Sequence, residues 1–347
     1  MLENAPLFDI AVLGAGLAGL TCAKALQRSG YDVVILEKSR GVGGRVATRR
    51  LHHTCVDHGL PYLDVQGEQT QHLIEQLHTQ QTLCHWKNSE YVFKQGQLRS
   101  ESSLSPRYIA PEGMTAIAKS VATHLKIWRP CRVTKLTPMA NQWHLTLESP
   151  PEMPQTVSAK AIVLAIPAPQ ALALVAELDV PQSMLSSLQS VEFDPCLVVM
   201  AGYASQSELA WNAIAFEDHP NLAWISLESS KRQNSQESVF VVHSTAQFAQ
   251  KFLDATDLQP AAQELLSTAA QCLFPSLNTP NWFQIHRWRY ARPRSFLSVS
   301  YLETSSPLPL ICCGDWCIGN QVENALHSGR MAASALENNF LPKKDCN

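Results

Sequence analysis

The hydrophobic pattern changes period twice near the start of the chain. Asp9–Leu13 is a short apolar run. Leu17, Leu20, Ala23 and Leu26 then recur at helical spacing, which predicts a helix over Leu17–Ser29. Gly30 follows as its C-cap, because a residue without Cβ takes the left-handed backbone there without strain. Asp32–Leu36 is a second run, unbroken rather than alternating, as in a strand buried on both faces of a parallel sheet. The order is strand, helix, strand.

Further apolar runs predict strands over Trp143–Leu147, Ala161–Ile166, Cys196–Gly202, Leu222–Leu227, Val239–His243, Trp282–Tyr290 and Leu308–Cys313. Helical spacing predicts helices over His72–Gln80, Gly113–His124, Gln170–Leu178, Ala246–Thr256, Ala261–Leu273 and Val322–Asn338. Polar turns such as Lys231–Glu237 separate them. Between 190 and 245 the strands follow one another without helices, which is antiparallel behaviour. The fold class expected is α/β. It combines a Rossmann-type nucleotide-binding domain, a parallel sheet with helices, and an inserted α+β substrate domain with a mixed, largely antiparallel sheet. The expected division gives 1–65, 105–180 and 290–340 to the first and 66–104 and 181–289 to the second.

Composition narrows the function classes. At 347 residues and 45% apolar, the chain is long enough for about two domains with substantial cores. A net charge of −3 without long charge runs gives no reason to expect nucleic acid or an anionic membrane surface as partner. The first apolar stretch lacks a basic flank and is interrupted by glycines, unlike a secretory signal or a membrane span. The ten cysteines are scattered, including Cys346 near the end, which suits free thiols in a reducing cytoplasm. No Cys/His spacing resembles a zinc site, so no metal is expected.

Gly14-Ala15-Gly16-Leu17-Ala18-Gly19 is a G-x-G-x-x-G motif placed after a strand and opening a helix. Gly14 permits the tight turn, Gly16 the approach of a pyrophosphate, and Gly19 close helix–strand packing. The helix N-terminus adds free N–H groups and partial positive charge. Glu37 closes the second strand, where a carboxylate accepts from adenosine ribose hydroxyls and repels a 2′-phosphate. Ala18 and Lys38 complete this candidate set.

Arg40-Gly41-Val42-Gly43-Gly44-Arg45 resembles the second glycine motif of glutathione-reductase-type flavoproteins, a group that includes the amine oxidases. The resemblance places Arg40, Gly43, Gly44 and Arg45 along an FAD pyrophosphate, where guanidinium gives charge-assisted hydrogen bonds. Arg49 and Arg50 are read instead as a solvated surface pair. Leu310–Asp315, leading to a helix that starts at Gln321-Val322, resembles the C-terminal FAD motif of the same group. There Gly314-Asp315 serves the ribityl or phosphate side, and the helix N-terminus faces the flavin O2 edge. Val133, beside Arg132, is assigned a backbone contact to adenine on the same ground. The cofactor implied is non-covalent FAD.

Pro167–Gln170, Val241–Ser244, Arg287–Pro293 and Asp57-His58-Gly59 together resemble the renalase-like flavoproteins, of bacterial type. That resemblance implies oxidation of misreduced nicotinamides, the 2- and 6-dihydro isomers of NAD(P)H, with O2 reoxidising the flavin to give hydrogen peroxide. Such a reaction needs ring alignment and no general base. His243, Trp288 and Tyr290 are the candidate catalytic residues; core packing is the competing reading of each. Of Arg287, Arg289, Arg292 and Arg294, one or two are expected to take a substrate phosphate. No lysine lies between Lys251 and Lys343, which counts against the lysine pattern of amine oxidases. Two alternatives stay open: an amine oxidase or desaturase-like enzyme, and a non-catalytic redox sensor using Cys313 and Cys317.

Overall fold

The computed structural model describes residues 5–87, 90–101, 105–204, 209–233 and 235–341, so Cys346, Lys343 and one residue of the Lys231–Glu237 turn lie outside it. Five parallel strands stand in the order Lys126–Trp128, Val33–Leu36, Leu7–Leu13, Thr156–Leu164, Leu310–Cys312. Alternation along Leu7–Leu13 feeds two cores. Ile10 and Val12 join Leu17, Leu20 and Leu336 on one side, while Ala11 and Leu13 join Ala168, Ala171 and Val175 on the other. This is why the first strand is apolar throughout. Gly30 takes φ +85° after the helix Leu17–Arg28, as its sequence position requires.

This sheet is not wholly parallel. Arg132–Met139 and Gln142–Glu148 form an antiparallel meander on Thr156–Leu164. The link between them is too short for a crossover. Ala140 turns it with φ +49°.

A second, seven-stranded sheet runs Trp282–Pro293, Phe193–Tyr203, Ser238–Ser244, Leu222–Leu227, Ala213–Phe216, Glu90–Lys94, Gln97–Glu101. Every pairing is antiparallel except that of Ala213–Phe216 with Glu90–Lys94. One face packs Val199, Ile225, Phe240 and Val242 under the helices Ala246–Lys251 and Gln259–Cys272. The other packs Val198, Met200, Val239 and Val241 against Val56 of the hairpin Thr48–Asp57. That inner face looks toward the nucleotide-binding unit.

Several helices differ from their expected bounds. Gly113 has φ +97°, so its helix starts at Thr115. The helix expected to reach Thr256 stops at Lys251, and just beyond it Arg287 and Arg289 bond the carbonyls of Phe252, Leu253 and Ala255. Gln182–Ser190 is a further helix that the apolar spacing did not reveal. Among the described residues, no helix is long and apolar enough to cross a membrane.

Candidate cofactor and substrate site

The candidate cofactor residues gather at the carboxyl edge of the parallel sheet, where the chain order reverses and α/β proteins bind nucleotides. Gly14 follows Leu13 with φ +103°, and a Cβ there would lie 2.6 Å from Ala165 O. A Cβ on Gly19 would lie 2.1 Å from Gly14 O, so both glycines are demanded by the protein's own packing. Gly16 differs. It caps the helix, and nothing lies within 4 Å of the Cβ it lacks. The space beside it is open, as close approach by a ligand requires.

The second glycine turn closes on the first. Gly43 donates to Ala15 O at 2.8 Å, and a Cβ on Gly44, at φ +56°, would meet Gly16 Cα at 3.4 Å. Glu37 is buried and accepts from Ala15 N at 2.8 Å and Ser39 N at 2.7 Å. Two backbone N–H groups therefore hold the carboxylate that the sequence reading reserved for ribose. A carboxylate has about four acceptor positions, so capacity for hydroxyls is left. Cys131 N donates to Glu37 O at 2.7 Å, which sets Val133 beside this turn. Lys38 and Arg40 sit exposed at the rim, Lys38 reaching Gln170 at 3.4 Å. Ala18 faces the last helix, where a Cβ on Gly329 would stand 2.2 Å from Ala18 O.

The distant C-terminal element joins through one ion pair. Arg45 makes two hydrogen bonds to Asp315, at 2.8 and 2.6 Å, and one to Ala291 O at 3.3 Å. Burial works against its charge, but Asp315 more than offsets this, so the guanidinium is held more firmly protonated. Leu60 N donates to Arg45 O, and Trp288 Nε1 donates to His58 O at 2.8 Å. The network thus links the second glycine motif, the Gly314-Asp315 turn, the Asp57-His58-Gly59 segment and the aromatic strand. Gly314 N donates to Ser328 Oγ on the final helix. That helix starts at Val322, whose side chain is buried, with Gln321 as its exposed cap. The open Gly16 cradle, the helix N-terminus and an acid–arginine pair joining the two ends fit FAD.

The inner sheet face carries polar residues that no local pattern announces. Val198 pairs with both His243 and His286, and His243 pairs with Trp224, so these four share a face. Trp288 stacks on His58 with centroids 5.5 Å apart, and Tyr290 meets Phe193 edge-on. His243 therefore lies two strands from the strand that carries His286, Trp288 and Tyr290, with Val198 between. All three neighbouring imidazoles are held neutral. Burial, then His286 and Arg49, push His58 down to about 3. Burial, then Lys231, push His243 to about 4, and burial, then Arg49, push His286 to about 4.

Arg49 is not the solvated residue expected from sequence. It is half-buried and bonds Gln284 at 3.2 Å and His286 at 3.1 Å, whereas Arg50 is exposed. The arginines of the 282–293 strand also depart from expectation. Arg287 and Arg289 point to the helical side and cap carbonyls there, and Arg294 pairs with Glu192. Strand alternation puts Arg287 and Arg289 on the wrong face for a substrate phosphate, whereas Arg292 shares the parity of Trp288 and Tyr290 and Arg294 lies just beyond the strand. A lysine does lie near the site: Lys231 is fully buried, donates to Pro61 O at 2.7 Å and pairs with Glu228 at 2.8 Å. With Asp57 and Arg232 it forms a buried quartet joining the two units. Cys313 and Cys317 are buried with thiols pushed well up by burial, Cys317 to about 12, a poor setting for a redox sensor.

Comparison with known proteins agrees with this arrangement. Residues 12–77 match the NAD(P)-binding Rossmann-like domain, and residues 100–336 match the flavin containing amine oxidoreductase model. AofH, a flavin-containing monoamine oxidase homologue of Mycobacterium tuberculosis, is 28% identical over 135 residues, 39% of this chain and 28% of that protein. The matched stretch thus spans under a third of that relative's length. A putrescine oxidase solved with putrescine shares the fold over 96% of this chain and 99% of its own, with TM-score 0.70 at 12% identity. Cyclohexylamine oxidase from Brevibacterium oxydans does so over 95% and 99%, with TM-score 0.69 at 13% identity.

Proposed function

Because the chain belongs to the flavin containing amine oxidoreductase family, we propose that it is a renalase-like oxidase of dihydronicotinamides. Hydride leaves a 2- or 6-dihydro isomer of NAD(P)H, giving aromatic NAD(P)+. Dioxygen takes the hydride equivalent and a proton, giving hydrogen peroxide. FAD supplies the hydride acceptor when bound. The reading assigns the chain three tasks. The Gly16 cradle and Glu37 hold the adenosine end. Arg45 and Asp315 join the turns around the redox end. Trp288, Tyr290 and His243 line the face that positions the substrate ring and excludes water.

The observation that carries the reading is Arg49. Among the described residues this half-buried cation bonds two neutral groups, Gln284 and His286, rather than a carboxylate. An uncompensated guanidinium repels an ammonium substrate and attracts a dinucleotide phosphate. A second observation points the same way. The aromatic pair Tyr62 and Trp224 is already taken by Arg107, whose guanidinium carbon lies 4.0 and 5.7 Å from their centroids. No ring pair there is left open for an amine cation.

Anaerobic mixing with 6-dihydro-NAD is expected to bleach the flavin and release NAD+ in equal amount. A flavin that stays oxidised with both isomers, yet is reduced by a primary amine, sinks the proposal. Arg49→Gln is expected to raise the apparent Kd for dihydro-NAD about 10-fold or more. It should have little effect on an N-alkyl dihydronicotinamide, which has no phosphate. Equal losses on both substrates would count against the phosphate role.

The chemical step is also expected to be insensitive to pH. His58, His243 and His286 gain protons only near 3 to 4, so their state does not change from about pH 6 to 9. Flavin reduction measured by stopped flow should be flat over that range. A sigmoid centred near 6.5 would show that one of them titrates normally.

A further inference from the structure

The helix Glu68–Thr79 and the final helix Val322–Asn339 meet at their first turns. The first N–H groups of a helix have no acceptor within it, so each end needs partners from outside. Glu323 supplies them to its neighbour. Its carboxylate accepts from Gln69 N at 3.0 Å, Thr70 N at 2.7 Å and Thr70 Oγ1 at 2.8 Å. In return Glu323 N donates to Gln66 Oε1 at 3.3 Å, and Gln66 is oriented by its own donation to Asp64 at 2.8 Å. Thr70 is fully buried beneath these bonds. Gly67 caps the first of the two helices, and a Cβ there would lie 2.5 Å from the Glu323 carboxyl carbon. Its φ of 176° is extended backbone open to any residue, so the carboxylate and not the turn requires glycine.

A glutamate in the first turn of a helix ordinarily serves that helix's own dipole. Here the carboxylate is directed at the other helix. Gln321 N is satisfied by Asn324 Oδ1 at 3.0 Å, while Val322, the first helical residue, keeps an N–H with no acceptor inside its helix. We propose that Glu323 is a positioning residue for FAD. By tying the two first turns together it aims the N-terminus of the final helix at the flavin O2 edge, and so sets how readily the bound flavin accepts electrons. This rests on the FAD site and is independent of which substrate delivers the hydride.

Glu323 acts on the flavin in two ways of opposite sign, so a reduction potential separates them. As a nearby anion it disfavours negative charge on the reduced ring. As a clamp it favours that charge, through the N–H groups and dipole that it aims. The test is a redox titration of the FAD-loaded wild type, Glu323→Ala and Gly67→Ala. Glu323→Ala removes both the charge and the clamp. Gly67→Ala keeps the charge, and its methyl group pushes the carboxylate off the neighbouring helix. Each variant is expected to lose about 10-fold in preference for reduced over oxidised FAD, a midpoint potential about 30 mV more negative. The flavin spectrum and unfolding temperature check that each is folded. A more positive potential in Glu323→Ala would show that the residue acts by its charge alone and would overturn the clamp. A wild-type potential in Gly67→Ala would overturn it equally. A wild-type protein that takes up no FAD removes the cofactor account itself, and the clamp with it.

Discussion

Gly16→Val should fold normally and lose the cofactor. Nothing in the protein lies within 4 Å of a Cβ at Gly16, and its φ of −75° is one that valine adopts. The apo variant is therefore expected to unfold within about 1 °C of apo wild type, because an exposed substitution away from packing or strain has little effect. The added methyls fill the space the pyrophosphate needs against the helix N-terminus. The expected loss in FAD affinity is at least 100-fold, about 3 kcal/mol, which is the scale of several charge-assisted backbone hydrogen bonds forfeited together. Gly19→Ala gives the opposite separation. Its Cβ would meet Gly14 O at 2.1 Å, so the fold itself suffers, by roughly 1–3 kcal/mol. Fluorescence titration with FAD and thermal unfolding of both apo proteins distinguish the two outcomes. Tight FAD binding by Gly16→Val would remove the cradle from the account.

Asp57→Ala is expected to cost the most stability of any single change described. Asp57 is fully buried and accepts from Arg232 at 2.6 Å, Thr48 Oγ1 at 2.6 Å and Met114 N at 2.8 Å. Its own N–H donates to Glu228, and Lys231 lies 3.8 Å away. Removing one member of a buried charge group leaves the others uncompensated, at about 3–5 kcal/mol. That corresponds to roughly 4–7 °C in Tm for a chain of this length. Removing the exposed Lys94–Glu217 pair should change nothing measurable.

The two carboxylates of the quartet also act oppositely with pH. Asp57 is opposed by burial but held below its ordinary range by Lys231 and Arg232, so its contribution is lost as pH falls through its folded-state value. Glu228 is pushed up to about 7, first by burial and also by Asp57. The unfolded chain releases that proton first, so stability declines as pH rises from 4.5 toward 7. Glu228→Gln should flatten this decline in a pH series of urea unfolding curves. An unchanged slope would show that Glu228 is ionised throughout.

The parts of the site that could be read from sequence are those written in local order. The first glycine motif, Glu37, the Arg40–Arg45 turn and the Gly314-Asp315 turn each have a neighbouring strand or helix that fixes their meaning. The structure sets all of them on one sheet edge. The inner face was not legible, because it depends on register. His286, Val198, His243 and Trp224 come from four separate strands, and only pairing aligns them. The buried quartet is hidden for a related reason. Lys231 and Arg232 look like part of a polar turn until Asp57 arrives from a distant hairpin. One missed element did carry a signal: Gln95-Gly96, both left-handed at φ +51° and +76°, is the turn of the hairpin Glu90–Glu101.

The arrangement depends on the Arg45–Asp315 pair closing two remote segments around a single FAD. Acid precipitation of the purified protein, followed by quantification of the flavin left in solution, addresses this most directly. One FAD per chain is expected. A colourless protein that takes up no FAD when it is supplied would contradict the account at its root.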